Sequence, residues 1–203
     1  MVSILNGLAR GVGYVGSLIN LFGYGAGAKS SETDEKVSRV VENWWNYDPK
    51  TKTLLIKDAH IDNLRINAIL VRHADQVNHL VINCLELKNL VALSSHKGLT
   101  LLNLEGCKKL ESLNGIPENL ETLILSNNYN LRDFSPIGKL AKLKSLSVSD
   151  MPYFADKQGR LAFIVNLKNL QLFNVQGCPL KEGMSILRPL KRGSSILISR
   201  SVT

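Results

Sequence analysis

Cys84, Cys107, Cys178, His60, His73, His79 and His96 are the side chains of this sequence best suited to metal ligation or nucleophilic chemistry. Zinc held by cysteine and histidine calls for ligand pairs about two to four residues apart. No C-x-x-C pair exists, and His73 and His79 are six positions apart, a spacing that fits no helix face for joint ligation. The motifs G-x-S-x-G, H-E-x-x-H and G-x-x-x-x-G-K-[ST] are absent, so no hydrolase elbow, metalloprotease helix or phosphate loop is signalled. The glycines of GYVGSLINLFGYGAGA follow no strand pattern, as a phosphate-cradling turn requires. The inventory predicts no enzyme, no metal, no cofactor and no small-molecule substrate.

Three sparse cysteines fit a reducing compartment better than a disulfide framework. The net charge is +8, and its excess sits late in the chain. Lys157, Arg160, Lys168, Lys181, Arg188, Lys191, Arg192 and Arg200 oppose only Asp156 and Glu182 between Met151 and Thr203. A basic section attracts nucleic acid, anionic lipid or an acidic partner, or keeps the protein soluble. Aromatics are only 6% of the chain and do not interleave with these charges, so nucleic acid is not the expected partner.

Apolar spacing is the informative signal. Leu99, Leu102, Leu104, Cys107, Leu110 and Leu113 follow L-x-x-L-x-L-x-x-C-x-x-L-x-x-L. The pattern returns at Leu120, Leu123, Leu125, Asn128, Leu131 and Phe134, and at Leu143, Leu146, Val148, Met151 and Phe154. It returns again at Leu170, Phe173, Val175 and Cys178. Val77, Leu80, Ile82 and Leu85 precede it, and Thr51, Leu54, Ile56 and Ala59 fit more weakly. Gly193, Ile196 and Ile198 open a last unit. In each unit x-L-x-L-x predicts a short strand with alternate residues inward. The Asn or Cys three positions on turns inward, where an amide can bond backbone groups left unpaired by the turn and a thiol does so weakly. One unit cannot bury its apolar side, but stacked units share a core. Cys107 and Cys178 are then inert ladder residues, too far apart for a disulfide. Cys84 has no place in this register and is expected to be accessible.

This spacing resembles the leucine-rich repeat family from Thr51 to Ser199, LNLEGCKKLESL and NLETLILSNNYNL being close to its consensus. Ala59, Leu85 and Met151 depart from it where Asn or Cys is expected. The resemblance implies an α/β solenoid of about seven units, with a curved parallel sheet on the concave side and helices and turns on the convex side. ELKNLVALSSHKG, ADKQGRLAFIVNLKN and IDNLRINAILVRHADQ have helical spacing, whereas SLNGIPENLE is broken by Gly115 and Pro117. LKSLSVSDMPYFADKQGRLAFIVNLKNLQLF is similar to one unit of the mitochondrial coupling-factor-B and complex-assembly leucine-rich proteins. LNLEGCKKLESL and NLETLILSNN are similar to units of plant immune receptors.

Three outward columns follow from the strand register. One runs Thr53, His79, Leu101, Thr122, Ser145, Leu172, Ser195; the next Leu55, Val81, Asn103, Ile124, Ser147, Asn174, Leu197; the last Lys57, Asn83, Glu105, Ser126, Ser149, Gln176, Ser199. Leu55, Lys57, His79, Val81, Asn83, Leu101, Asn103, Glu105, Ile124 and Asn174 are the candidate contacts for a protein partner on this face; the alternative is a solvated face without a partner. Residues 51–203 form the repeat domain.

Residues 29–50 are expected to cover the open end of the stack as a helix, capped by Ser31, with Asp34 and Glu35 in its first turn. Val37, Val40, Val41 and Trp44 line its apolar face, Pro49 ends it, and Trp45 is the candidate for contact outside. Residues 1–28 differ again. Leu5, Leu8, Val12, Val15, Ile19 and Phe22 recur every three or four residues, and Arg10 is the lone charge before Lys29. A cleaved secretory signal, an organelle presequence, a membrane span, and a segment lying on a membrane or in a partner's groove all compete, beside a glycine-rich tail without a role. Val2 excludes N-myristoylation, which needs glycine there. The expectation is a non-enzymatic interaction module anchored to a membrane or larger assembly through residues 1–28. It is placed inside the cell at a membrane, with a mitochondrial or secreted location as the alternative. The rival is an organelle-delivered assembly factor, or a secreted or translocated effector that recognises a protein through the repeat surface.

Overall fold

The computed structural model describes residues 45–57, 63–73, 76–154, 161–179 and 195–197. All lie in the second of the two units into which the chain divides, Trp44–Thr203. Each short β-favouring stretch becomes one strand: β1 (Trp45–Asp48), β2 (Thr53–Ile56), β3 (His79–Ile82), β4 (Leu101–Asn103), β5 (Thr122–Ile124), β6 (Ser145–Ser147), β7 (Leu172–Asn174) and β8 (Ser195–Leu197). They form one sheet in chain order. The pair β1–β2 is antiparallel, and every later pair is parallel.

The register stacks identical positions of successive coils. Leu54, Leu80, Leu102, Leu123, Leu146 and Phe173 are mutual partners along the sheet, and all are fully buried. A buried leucine contributes about 1.5–3 kcal/mol, and each here obtains its cover from the coil above and below. After the strands the backbone ladder continues into the turn, with Gly106, Asn127 and Asp150 donating to the carbonyls of Ser126, Ser149 and Gln176. Gly106, Asn127, Asp150 and Gly177 all have positive φ, from 54° to 75°. Glycine, Asn and Asp tolerate that left-handed conformation best. This bend turns the next residue inward, and Cys107, Asn128 and Met151 are fully buried there.

The amide of Asn128 donates to Leu125 O at 2.7 Å and to Leu104 O at 3.0 Å, tying its own turn to the preceding coil. Cys107 Sγ reaches Ile82 O at 3.4 Å and Cys178 Sγ reaches Val148 O at 2.9 Å. Asn128→Ala removes the bond to Leu125 O and the tie to Leu104 O, which keeps its bond from Cys107 N, and is expected to cost about 2 kcal/mol in urea unfolding. Asn128→Cys, which keeps a weak donor, should recover about half of that loss.

The coil after β3 corrects two expectations. Cys84, not Leu85, fills the inward turn position: Cys84 is fully buried while Leu85 is exposed. This turn is one residue shorter than its neighbours, since Ile82 precedes its inward residue by two positions and Leu104 precedes Cys107 by three. Cys84 is therefore a ladder residue and is not accessible. Ala59 lies outside the described residues.

On the side opposite the sheet, the helix α1 (Asn63–Arg72) forms within IDNLRINAILVRHADQ as its spacing predicts. The other two predicted helices shrink to 3-10 turns, Val91–Leu93 and Ala162–Asn166, with residues 155–160 outside the described part. A third 3-10 helix spans Ser135–Lys139. The reason lies in spacing: Leu87, Leu90 and Leu93, and likewise Leu161, Ile164, Leu167 and Leu170, fall every third residue and are all buried. A period of three suits a 3-10 turn, whose residues i and i+3 eclipse. SLNGIPENLE contains turns alone, as expected.

At the N-terminal edge the predicted helix does not reach Pro49. Trp45–Asp48 is a strand, with Trp45 opposite Ile56 and Asp48 opposite Thr53. Trp45 and Tyr47 alternate onto one side, where their rings lie 5.3 Å and 4.7 Å from that of His73. Pairing with β2 satisfies an edge that a helix over these residues would leave open. Residues 29–44, including Trp44, lie outside the described part.

Candidate interaction surface

The register assembles the predicted columns on one face. Thr53, His79, Leu101, Thr122, Ser145, Leu172 and Ser195 are successive partners, and so are Leu55, Val81, Asn103, Ile124, Ser147, Asn174 and Leu197. Of the proposed contacts, Leu55, His79, Val81, Leu101, Asn103, Ile124 and Asn174 are half-buried, while Lys57, Asn83 and Glu105 are exposed beyond the strand ends. The structure thus brings these ten side chains onto a continuous strip. The anchor residues Leu5, Leu8, Val12, Val15, Ile19 and Phe22 lie outside the described part.

The strip has two chemically distinct halves. From β2 to β5 it is aliphatic, with Leu55, Val81, Leu101 and Ile124, and Thr53 Oγ1 lies 3.3 Å from His79 Nδ1 at its border. From β5 to β7 it is a hydroxyl and amide cluster. Ser126 Oγ is 3.0 Å from Ser147 Oγ and accepts from Ser149 Oγ at 2.8 Å, and Asn174 Nδ2 donates to Ser147 Oγ at 3.3 Å. Ser126 is buried in this cluster, so it is no contact residue. Polar groups already satisfied by one another gain little from a partner; the aliphatic half offers more.

Sequence reasoning passed over the turns that follow the strands. Glu105 Oε1 accepts from Asn127 Nδ2, whose Oδ1 accepts from Tyr129 OH at 3.3 Å. Arg132 lies over the ring of Tyr153, 4.7 Å from its centroid. Tyr129 and Tyr153 are 44% and 39% exposed, and Tyr and Arg are the residues interfaces favour. The available signal was their place one residue after the inward Asn128 and two after the inward Met151.

Of the reactive side chains, Cys84, Cys107 and His96 are buried, and His60 lies outside the described residues. Burial pushes the Cys107 thiol up to about 11, so it is protonated at neutral pH, and burial raises Cys178 as well. Burial lowers the pKa of His96. Among the described residues no group of His, Cys, Asp and Glu could hold a metal ion, and no helix is long and apolar enough to cross a membrane.

No family model matches the sequence. Over 98 residues, 48% of this chain, it is 37% identical to the disease resistance protein RPS4B of Arabidopsis thaliana, a stretch that spans only 8% of that relative. An internalin of Listeria monocytogenes superposes on 66% of this chain and 38% of its own with a TM-score of 0.54 at 18% identity. A second internalin, C2, covers 73% of this chain and 80% of its own at 16% identity, but its TM-score of 0.37 adds nothing to the fold argument. One short parallel strand per turn with leucines inward, together with the likeness to the internalin, gives this chain the leucine-rich repeat fold.

Proposed function

We propose that this chain is a non-enzymatic protein–protein interaction module whose outward sheet face receives the partner. The observation that carries the reading is that four adjacent strands put Leu55, Val81, Leu101 and Ile124 on one face, Leu55 and Val81 as direct partners and Leu101 and Ile124 in neighbouring columns beside Asn103. Such a strip gives a partner aliphatic contact on a rigid frame. Val81→Asn with Ile124→Asn tests it, because the same column already carries Asn103 and Asn174 and so tolerates the side chain. Proximity labelling with the intact chain identifies partners; the double variant should bind them at least about tenfold more weakly with little change in Tm. An unchanged partner set with unchanged affinity would remove the face from consideration.

In the same reading residues 1–28 hold the module inside the cell on a membrane or within a larger assembly. The support is their spacing of Leu5, Leu8, Val12, Val15, Ile19 and Phe22 with Arg10 as the lone charge before Lys29. Aliphatics so arranged need apolar cover. On fractionation the full chain should sediment with membranes or a large assembly, and a version lacking residues 1–28 should be released. If both stay soluble with the same partners, the anchoring role fails.

A second reading keeps the repeat surface and gives the chain a different destination. There the repeat surface belongs to a secreted or translocated effector that copies such a surface, or to an organelle-delivered assembly factor. N-terminal sequencing separates the two: a mature start near Lys29 supports delivery, and Met1 supports a retained anchor.

A further inference from the structure

The two edges of the sheet differ in charge. The turns that lead into the strands are bound to one another by a backbone ladder, in which residues 78, 100, 121, 144 and 171 donate in turn to Lys52 O, Asn78 O, Thr100 O, Glu121 O and Lys144 O. Asn119 Nδ2 adds a bond to Lys97 O and Asn169 Nδ2 one to Ala141 O. This rigid edge presents Lys50, Lys52, Lys97, Lys142 and Lys168, all exposed, and its carboxylates are fewer: Asp48, which accepts from Lys50 N and Thr51 Oγ1, exposed Glu118, and Glu121. Among the described residues none of the five has a carboxylate within ion-pair distance, whereas Lys144 beside them is paired with Glu121 at 2.7 Å. On the opposite edge Lys57, Lys88, Lys108, Lys109 and Arg132 are interspersed with Glu86, Glu105, Glu111, Asp133 and Asp150, and Lys109 is paired with Glu86.

We propose that the edge formed by Lys50, Lys52, Lys97, Lys142 and Lys168 is a docking surface for an acidic polypeptide segment of a partner protein. Charge complementarity selects an anion. The described turns of this edge carry no exposed large apolar side chain that would insert into lipid. They also carry no exposed aromatic ring on which a base could stack and no arginine fork for phosphates. Ammonium groups spaced along a hydrogen-bonded backbone edge suit carboxylates spaced along a flexible chain. The inference deepens the reading of this chain as a protein-binding module. Val81→Asn with Ile124→Asn leaves this edge untouched, so the two can fail separately.

The test uses the full chain and poly-L-glutamate as probe, followed by fluorescence anisotropy at low and at moderate salt. A triple variant, Lys97→Glu, Lys142→Glu and Lys168→Glu, removes charge from the proposed edge; none of these side chains makes a bond that the change would break. Lys57→Glu, Lys88→Glu and Lys108→Glu makes the same change on the other edge. The expected result is salt-sensitive binding that falls about tenfold or more in the first variant and less than about threefold in the second. Absent binding, an equal fall in both variants, or tighter binding to polyuridylate RNA or to phosphatidylserine vesicles that is itself lost in the first variant and kept in the second would each overturn the proposal.

Discussion

Phe154→Ala is expected to lower the unfolding free energy by about 3–5 kcal/mol, the range for removing a fully buried aromatic side chain. Phe154 is fully buried, and its ring centroid lies 4.9 Å from Phe134, 6.1 Å from Phe173 and 6.4 Å from Phe163, each pair edge to face. Such contacts add to the area term. The four rings come from three successive coils, so truncation removes both the filling of one coil and its grip on the next. In a stack where each unit leans on its neighbours, the opened cavity loosens the coils around β6 and β7 before the rest. Urea unfolding followed by circular dichroism reads the total. Amide exchange should show the largest loss of protection on those two strands. Phe154→Leu, which refills most of the space, should cost about 1–2 kcal/mol. A loss below about 1 kcal/mol for the alanine variant would show that the aromatic cluster does not close this part of the core.

Gly115→Ala is expected to cost about 2–4 kcal/mol, from two sources that act together. Gly115 has φ +89°, where any side chain is strained. A Cβ there would also overlap the carbonyl oxygen of Leu90 and come within 2.6 Å of Val91 Cα. Both obstacles are backbone, held in place because Leu90 N donates to Asn114 O and Leu93 N donates to Leu90 O. The overlap cannot be relieved by a rotamer change; the two coils must part. The measurement is the same urea titration, with Gly106→Ala as comparison. Gly106 shares a positive φ, but its added Cβ would meet nothing within 4 Å. It should therefore cost only the conformational part, about 1 kcal/mol. Equal losses at the two glycines would mean that close approach at Gly115 contributes nothing.

The columns on the sheet face were legible in the sequence because a strand alternates sides with a period of two, and the repeat fixes which residues share a level. Leu55, Val81, Asn103 and Ile124 could be aligned by counting from one inward leucine to the next. Counting failed where a turn changes length. The missing residue after Ile82 moved Cys84 into the core and put Leu85 outside. The threefold spacing of Leu161, Ile164 and Leu167 also stood in the sequence, but it fits an α-helix loosely and a 3-10 turn better.

The sequence by itself determined the coil, its inward residues and the strand order, since each follows from local periodicity and from apolar surface that one unit cannot bury. Only the tertiary structure decided that Trp45–Asp48 pairs as an antiparallel edge strand, that Ser126, Ser147, Ser149 and Asn174 satisfy one another, and that Lys97, Lys142 and Lys168 share an edge with few carboxylates. Those outcomes depend on what lies on the neighbouring coil, about 20 or more residues away along the chain. Hydrogen-bond partners and unpaired charges are set by that distance in space, which local spacing does not encode.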